Sequence, residues 1–476
     1  MTDLRPYQQQ ALDEIRAHYA SGIKRVLLHA SVGSGKTVVF SEVLKGVIAK
    51  GRRAVVIIRG KDLIDQTSQR LFRENVPHGC LQGTHWNRND NAPVQICSVD
   101  TLYRRKIAPK ADLVVIDEAQ YANSESFLWV IAQYPNAYFL PVSATPHHKK
   151  GFRHIADVVV HPISTAELMD QGYLSRPRYF APTTLDLTTV KIDSSTKDYN
   201  VAQAAEVLLG STIYGDVVSQ YKAMSNDRPA ICFALNIEHS KILRDRFIAA
   251  GVPAVHVEAD TSRSDRDDAI ARLKSGEIKV ICNVGILCVG VDIPFLETVI
   301  LARPTKSYNL YIQQIGRGSR VTDTKNTFLI LDHTNNIHEH GFLENEKPCD
   351  LEAEEKKVKE VKERIVTCMN CYGTFAYRFE DGNNCPLCGE SCKREREAVE
   401  SKIKEEEAAV LKELSVKEFA TKWQEVLLFI ERAVKNRNKC GMVYHLTKDK
   451  FGEDYAKSVW RATKKEFHRR TQSASG

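Results

Sequence analysis

Residues 25–37 read RVLLHASVGSGKT, and this stretch decides the fold. Its first five residues form an apolar run that predicts a buried strand, and the residues after Thr37 predict a helix that is closed by Gly51. Gly33 and Gly35 allow the backbone between them to curl, so that several N–H groups face one anion at the helix N-terminus. We interpret the stretch as a loop that cradles the phosphates of a nucleotide.

Each polar residue of this loop has an expected role. Gly33, Ser34 and Gly35 would surround the phosphates, Lys36 would reach the β- and γ-phosphates, and the Thr37 hydroxyl would ligate Mg²⁺. The full pattern has glycine at the position of Ala30, so the match departs at one residue. An ordinary Gly/Ser turn between a strand and a helix is the alternative interpretation.

A second candidate site follows a later apolar run, in LVVIDEAQ at residues 113–120. Asp117 would complete the Mg²⁺ shell with Thr37, and Glu118 would orient and deprotonate the attacking water. An Asp-Glu pair after an apolar run is common in structural settings as well. Beside a phosphate-binding loop, the catalytic interpretation is favoured.

Two series of short apolar runs alternate with helix-like segments. Continuous rather than alternating apolarity predicts strands that are buried on both faces, as in parallel sheets covered by helices. The fold class is therefore α/β, with two such domains in tandem. The predicted strands are 25–29, 54–58, 94–98, 113–117 and 138–143 in the first domain, and 230–234, 254–258, 279–283, 298–302 and 327–331 in the second.

The second series contains YIQQIGRGSR at residues 311–320. Arg317 and Arg320, beside two glycines, are expected to point one way from a helix start and to act as arginine fingers. One such residue can contribute about 10³–10⁵ in the rate of phosphoryl transfer. The segment 283–294, NVGILCVGVDIP, places Gly290 and Asp292 in a loop that is suited to touch the nucleotide on one side and a phosphodiester on the other.

Six elements in this order resemble the superfamily 2 helicases over residues 3–335. They are LRPYQ, ASVGSGKT, DEAQ, SAT, NVGILCVGVDIP and QQIGRGSR. The resemblance implies two RecA-like domains with ATP between them and nucleic acid across both. It also implies that Arg5 and Gln8 hold adenine, and that Gln313 acts with the two arginines. Gln120 stands where relatives often have histidine, and the chain is most similar to RadD-type and phage-encoded DNA repair helicases.

Four cysteines form a separate motif: Cys368-x₂-Cys371, then Cys385-x₂-Cys388 after 13 residues. Two such pairs, each with a glycine soon after the second sulfur, predict a structural Zn²⁺ site with tetrahedral ligands. Cys392 is an alternative fourth ligand, and buried thiols without a metal are the other interpretation.

Composition and charge limit the remaining possibilities. The chain has 476 residues and a net charge of +7. No apolar run approaches the ~20 residues that span a bilayer, so we expect no membrane partner and a cytoplasmic location, or a nuclear one in a eukaryote. The predicted divisions are a first RecA-like domain at 1–165, a linker at 166–211, a second RecA-like domain at 212–345, a charged helical spacer at 346–366, a zinc module at 367–395 and a helical, basic end at 396–476.

The charge is concentrated near the end of the chain, since residues 432–476 carry 12 Lys and Arg against four acidic residues. Such a segment attracts a phosphate backbone without reading its sequence, although a solubilising surface is an equal alternative. We expect an ATP-dependent DNA helicase or translocase with ATP, Mg²⁺ and Zn²⁺ as cofactors. Single-strand-binding or replication and repair proteins are further expected partners. An RNA helicase and a nucleotide-switched interaction protein are the alternatives.

Overall fold

The computed structural model describes residues 4–181, 187–209, 213–288, 291–349, 351–352, 364–378 and 382–401, and short stretches between 426 and 467. The chain divides into two compact units, Met1–Cys392 and Lys393–Gly476. The first unit contains two lobes, each built around a parallel sheet.

Lobe 1 has a seven-stranded sheet in the order β3-β4-β2-β5-β6-β1-β7, with parallel pairing throughout. Its central strands are fully buried because helices cover both faces. The strands are β1 Val26–His29, β2 Ala54–Ile58, β3 His78–Leu81, β4 Val94–Ser98, β5 Leu113–Asp117, β6 Tyr138–Ser143 and β7 Val158–Val160. The helices are α1 Pro6–Ala20, α2 Lys36–Ala49, α3 Lys61–Arg73, α4 Val99–Arg105, α5 Glu125–Ala132 and α6 Thr165–Asp170.

Lobe 2 has a six-stranded parallel sheet in the order β10-β11-β9-β12-β13-β8. The strands are β8 Arg176–Phe180, β9 Ala230–Ala234, β10 Ala254–Val257, β11 Val280–Asn283, β12 Thr298–Ala302 and β13 Thr327–Asp332. The helices are α7 Val201–Leu209, α8 Ile213–Gln220, α9 Ile237–Ala249, α10 Arg263–Ser275, α11 Tyr308–Ile315 and α12 Asn336–His340. The prediction of two parallel-sheet α/β domains is confirmed.

The sequence prediction missed the three strands β3, β7 and β8, all of which lie at sheet edges. Strand β8 reads RPRYF and pairs with β13, so the second sheet takes in residues that we had assigned to the linker at 166–211. Edge strands tolerate proline and charge because one side of the strand needs no partner, and this weakens their apolar signal.

A segment after lobe 2 crosses back to lobe 1, and we call residues 342–349 and 351–352 the strap. At its start the Leu343 amide donates to the Tyr179 hydroxyl of lobe 2 at 2.7 Å. Further on, the Leu351 carbonyl accepts from the Phe152 amide of lobe 1 at 2.8 Å, and the Leu351 side chain is buried in the core of that lobe. The described part of the predicted helical spacer, 346–349, 351–352 and 364–366, is not helical: its first residues pack against lobe 1, and Ile365 begins a strand. Residues 353–363 of the spacer lie outside the described residues.

The cysteine-rich segment forms a two-stranded antiparallel sheet of β14 Ile365–Thr367 and β15 Thr374–Ala376. It lies against lobe 2, where the Ala181 amide donates to the Tyr372 carbonyl at 3.1 Å and His338 Nε2 is 3.1 Å from the Thr367 hydroxyl. These contacts attach the segment to the end of β8 and to α12.

The second unit is described by itself. It contains α13 Cys440–Phe451 and a small apolar cluster of Val426, Ile430, Ala433, Val443 and Phe467. Most of the apolar stripe predicted between 410 and 430, and much of the basic end, lie outside the described residues. Within the part of the chain that is described, no helix combines the length and apolarity needed to cross a bilayer.

Candidate nucleotide site between the lobes

The phosphate-binding loop joins β1 to α2 as the sequence predicts. Gly33 and Gly35 both have positive φ, 80° and 85°, a conformation that other residues adopt only with strain. Helix α2 begins at Lys36, so the first backbone N–H groups of the helix and the Lys36 ammonium face the same space. A phosphate chain fits the backbone N–H groups of a helix start beside an ammonium group, because these groups are hydrogen-bond donors and carry positive charge.

The two carboxylates at the end of β5 meet the loop lysine. Lys36 Nζ lies 2.8 Å from Asp117 Oδ1 and also contacts the Glu118 carboxylate. Burial alone would raise the pKa of Glu118, but the charge of Lys36 and the hydrogen bonds from Lys36 and Gln120 hold that pKa below its ordinary value. Glu118 is therefore ionised at neutral pH, as a group that accepts a proton must be.

The side chains of Gln120 and Ser143 orient Glu118 through two hydrogen bonds in series. The Gln120 amide donates to Glu118 Oε2 at 2.7 Å, and the Ser143 hydroxyl donates to Gln120 Oε1 at 2.5 Å. The Thr145 amide in turn donates to the Ser143 hydroxyl at 3.0 Å. The structure thus places Gln120 between the Ser143 hydroxyl and the Glu118 carboxylate.

The residues expected at adenine lie at one end of the same cleft. The Gln8 side-chain amide and the Tyr7 hydroxyl both donate to the Ser34 carbonyl of the loop at 2.9 Å. The backbone N–H of Arg5 donates to Gln8 Oε1 at 3.1 Å. A Cβ atom at Gly35 would stand 2.6 Å from the Gln8 amide nitrogen. Glycine is thus needed there both for its φ angle and for this close approach.

A cavity of about 560 Å³ opens beside Arg5, between the lobes. Its lining includes Gly33 of lobe 1 and Asp292 and Arg320 of lobe 2. Tyr173 also lines it, with the Arg5 guanidinium 4.5 Å from its ring centroid. Sequence reasoning missed Tyr173, although an aromatic residue close to the domain linker was a usable signal for base stacking.

The two arginines of lobe 2 have different surroundings. Arg320 donates to the Gly33 carbonyl of the phosphate loop at 3.1 Å and lies 3.3 Å from Asp292. Arg317 is held inside lobe 2 by the Cys288 carbonyl at 3.0 Å and by the Val291 carbonyl, and its charge acts on Glu118. Both follow the end of α11 rather than a helix start, because Ser307 caps that helix further upstream.

The lobes interlock at a glycine of lobe 2. The three atoms nearest to a Cβ built at Gly316 all belong to Val32 of the phosphate loop, and the nearest, Cγ1, is closer than real Cβ contacts allow. Gln313, also expected to be catalytic, is buried in α11 one turn earlier. Gly290 lies outside the described residues, and Thr37 lies in the first turn of α2.

The four predicted zinc ligands converge in the cysteine-rich segment. Their sulfur atoms all lie within 4.8 Å of one another, and the Cys368–Cys388 and Cys371–Cys385 sulfurs are 3.8 and 3.7 Å apart. A tetrahedron of 2.3 Å Zn–S bonds requires about 3.8 Å between sulfurs, so the group fits Zn²⁺. Cys392 is buried nearby but does not belong to this group.

Comparisons with known proteins agree with this arrangement. Residues 1–148 match the family model described as type III restriction enzyme, res subunit, and residues 215–322 match the helicase conserved C-terminal domain. The 51.5 kDa protein of Lactococcus phage (isolate 7-9) is 29% identical, with 83% of this chain and 86% of the phage protein covered. A Saccharomyces cerevisiae relative named as a candidate ATP-dependent helicase, IRC3, is 27% identical over 69% of this chain and 51% of its own length.

Solved structures share the fold at low identity. A fragment of a candidate HsdR subunit of a type I restriction enzyme from Vibrio vulnificus YJ016 has a TM-score of 0.55 at 18% identity, covering 71% of this chain and 67% of that one. The ATP-dependent Type ISP restriction-modification enzyme LlaBIII bound to DNA has a TM-score of 0.53 at 15% identity, covering 69% and 27%. The two lobes are RecA-like domains in tandem, and the cleft between them is that of an ATP-hydrolysing helicase. The chain belongs to the superfamily 2 helicases.

Proposed function

We propose that this protein is an ATP-dependent DNA helicase or translocase that unwinds or remodels DNA in repair, recombination or replication. The observation that carries the proposal is the contact of Arg320 from lobe 2 with the Gly33 carbonyl of the lobe 1 phosphate loop. Because the site is built from both lobes, ATP hydrolysis there is coupled to the relative movement of two domains that grip one strand.

The side chains divide the chemistry among them. Bound ATP supplies the phosphoanhydride bond that is cleaved. Lys36 would hold the β- and γ-phosphates, and Asp117 and Thr37 would hold Mg²⁺. Glu118, oriented by Gln120, would accept a proton from the attacking water.

Charge that develops in the transition state would be neutralised from lobe 2. Arg320 already reaches the phosphate loop, and Arg317 lies where its charge acts on Glu118. Phosphoryl transfer depends mostly on positioning and electrostatic stabilisation, which these fixed cations would provide. Arg5, Gln8 and Tyr173 would hold the adenosine.

The choice of DNA rests on relatives rather than on the site. The matching model is named for a restriction enzyme subunit, and one neighbour in fold is named as bound to DNA. The resemblance to RadD-type helicases adds the repair role and the single-strand-binding or replication proteins as partners. The ATPase residues themselves are indifferent to the sugar of the nucleic acid.

The test is the ATPase rate of the full chain with single-stranded, duplex, forked and four-way DNA, and with RNA of matched sequence. We expect stimulation by DNA above that by RNA. Lys36→Ala and Glu118→Gln should lose about 10²–10⁴ in turnover and keep DNA binding. The control is Glu125→Gln, the same change at an exposed carboxylate of the same lobe.

Three results would contradict parts of this proposal. If Glu118→Gln hydrolyses ATP at the ordinary rate, Glu118 is not the base. Stronger stimulation by RNA would replace DNA with RNA as the substrate. A chain that hydrolyses no ATP on any nucleic acid would indicate a nucleotide-switched interaction protein.

We also propose that Cys368, Cys371, Cys385 and Cys388 hold a structural Zn²⁺. Backbone amides already face two of the sulfurs, since Gly373 donates to Cys371 Sγ and Leu387 to Cys385 Sγ, each at 3.4 Å. Such bonds orient thiolate ligands around a metal. With four protein ligands, the metal would have no open position for substrate and would stabilise the fold of the segment.

A further inference from the structure

Three aromatic rings form a stack on lobe 1, which we call the aromatic platform: exposed Phe72 and Trp86, and His85, whose side chain is buried. The Trp86 ring lies 5.7 Å from that of Phe72, with 17° between the planes, and 5.5 Å from that of His85, with 29° between the planes. Trp86 is 70% exposed and Phe72 is 48% exposed. An indole ring in water is costly unless a ligand covers it, because large apolar surfaces gain free energy on burial.

The exposure of Trp86 does not come from a loose loop. Its loop joins β3 to β4, and the Asn87 carbonyl accepts from the Cys80 amide of β3 at 2.8 Å. The Gln95 amide donates to the Asn89 carbonyl at 2.7 Å, and Gly79 has no side chain where the Asn89 backbone crosses it. The ring is therefore presented in a fixed orientation, which lowers the entropy cost of binding a flat partner.

The platform lies at the carboxyl edge of the lobe 1 sheet, because its loop follows the end of β3. The loops that start at Arg59 and Ser98, after β2 and β4, leave the same edge. Exposed Arg73 adjoins Phe72 in the chain, and half-exposed Arg88 lies in the platform loop, where it pairs with Asp90 at 3.1 Å. Aromatic rings beside cations suit a polyanion whose units have flat faces.

A chain of polar contacts joins the platform to lobe 2. His85 Nε2 lies 2.7 Å from Asp65 Oδ1, and Asp65 Oδ2 accepts from Arg263 of α10 at 2.6 Å. A second pair, Arg266 with Asp62 at 2.7 Å, joins the same two helices. His85 is held within lobe 1 by Asp65 and by the Asn87 amide, and Arg263 of lobe 2 contacts the same Asp65 carboxylate.

We propose that the aromatic platform stacks on an unpaired nucleobase of the bound strand, with the Trp86 indole as the contacting ring. The inference rests on the proposed function, because it needs a nucleic acid across both lobes. It goes beyond that function by assigning a contact with a base to a particular side chain. Because Arg263 of lobe 2 contacts the carboxylate that holds His85, the platform lies beside the junction of the two lobes.

The experiment measures equilibrium binding of the full chain to a single-stranded oligothymidylate and to the same strand with abasic sites. Trp86→Ala should weaken binding of the base-containing strand by about tenfold, as the loss of one stacked base does. Trp86→Phe, which keeps a flat ring, should lose less. The abasic strand should bind the unaltered chain and Trp86→Ala equally.

Nucleic-acid-stimulated ATPase of the unaltered chain is measured alongside and separates the two proposals. If stimulation is present and Trp86→Ala binds both strands as the unaltered chain does, the platform is refuted and the proposed function stands. If Trp86→Ala weakens both strands equally, the ring does not contact a base and the platform is also refuted. If no nucleic acid binds or stimulates the unaltered chain, both proposals fall.

Discussion

At the residue scale, the interlobe contact depends on one missing side chain. Gly316 has helical φ and ψ, so alanine fits its backbone, and the crowding comes entirely from Val32 of the other lobe. We expect Gly316→Ala to hold the arginines away from the phosphate loop and lower ATP turnover by about 10², the cost of a displacement near 1 Å. Steady-state ATPase assays with saturating nucleic acid provide the measurement.

The same contact supplies its own control. Val32→Ala removes the atoms that meet the new methyl group, so the double variant should recover most of the lost activity. Thermal unfolding of both single variants should stay near that of the unaltered chain, since the clash lies between lobes rather than within a core. Full activity in Gly316→Ala, or no recovery in the double variant, would disprove this contact.

The sequence was most informative for residues whose chemistry needs a fixed spacing. Lys36, Asp117 and Arg320 stand in motifs whose order along the chain predicted a shared cleft, and the structure brings them there. Tyr173 and Glu346 stand in no motif, because their roles depend on where the lobes and the strap meet. Long-range packing of this kind leaves no local pattern that could be recognised in advance.

At the element scale, the cysteine-rich segment is expected to fold only around its metal. Its two strands have three residues each, too few to bury a core without a crosslink. Metal analysis of the full chain should find about one zinc atom per chain, and Cys371→Ser should lose it. Cys392→Ser is the matched control and should keep it, because that sulfur lies outside the group of four. If Cys392→Ser loses zinc and Cys371→Ser keeps it, Cys392 is a ligand in place of Cys371.

The strands that were predicted with correct boundaries are the buried ones. The strand boundaries predicted for β2, β4, β5 and β6 agree with those in the structure, because these central strands are continuous apolar runs. Strand β3 contains a histidine and a glycine, and its role becomes clear only once it pairs with β4. Edge strands take their conformation from a neighbour more than from their own composition.

At the scale of the whole molecule, the strap holds the lobes together through a buried carboxylate. Glu346 accepts from the Ser31 hydroxyl of the phosphate loop at 2.8 Å and from the Thr165 hydroxyl at 3.1 Å, and lies 2.9 Å from His29. Glu346→Ala removes this acceptor from Thr165 and His29, while Ser31 keeps the Ile163 carbonyl at 3.0 Å, and we expect a cost of about 1–3 kcal/mol. Thermal unfolding should show the loss, and the KM for ATP should rise because Ser31 belongs to the loop.

Glu352, at the end of the strap, offers a comparison with an exposed pair. It lies 2.7 Å from Arg153, and both side chains are largely in solvent. Glu352→Ala should therefore change stability by less than about 1 kcal/mol and leave the KM unchanged. Equal effects from the two substitutions would mean that Glu346 has no special part in holding the loop.

The strap also restricts the paths by which the nucleotide cleft can open. The polypeptide passes from lobe 1 to lobe 2 before β8 and returns to lobe 1 through the strap. Two covalent connections between the lobes leave rotation easier than sliding or full separation. Each ATP turnover would then repeat the same rotation of one lobe relative to the other. A helicase limited to one rotation would move along its nucleic acid in equal steps.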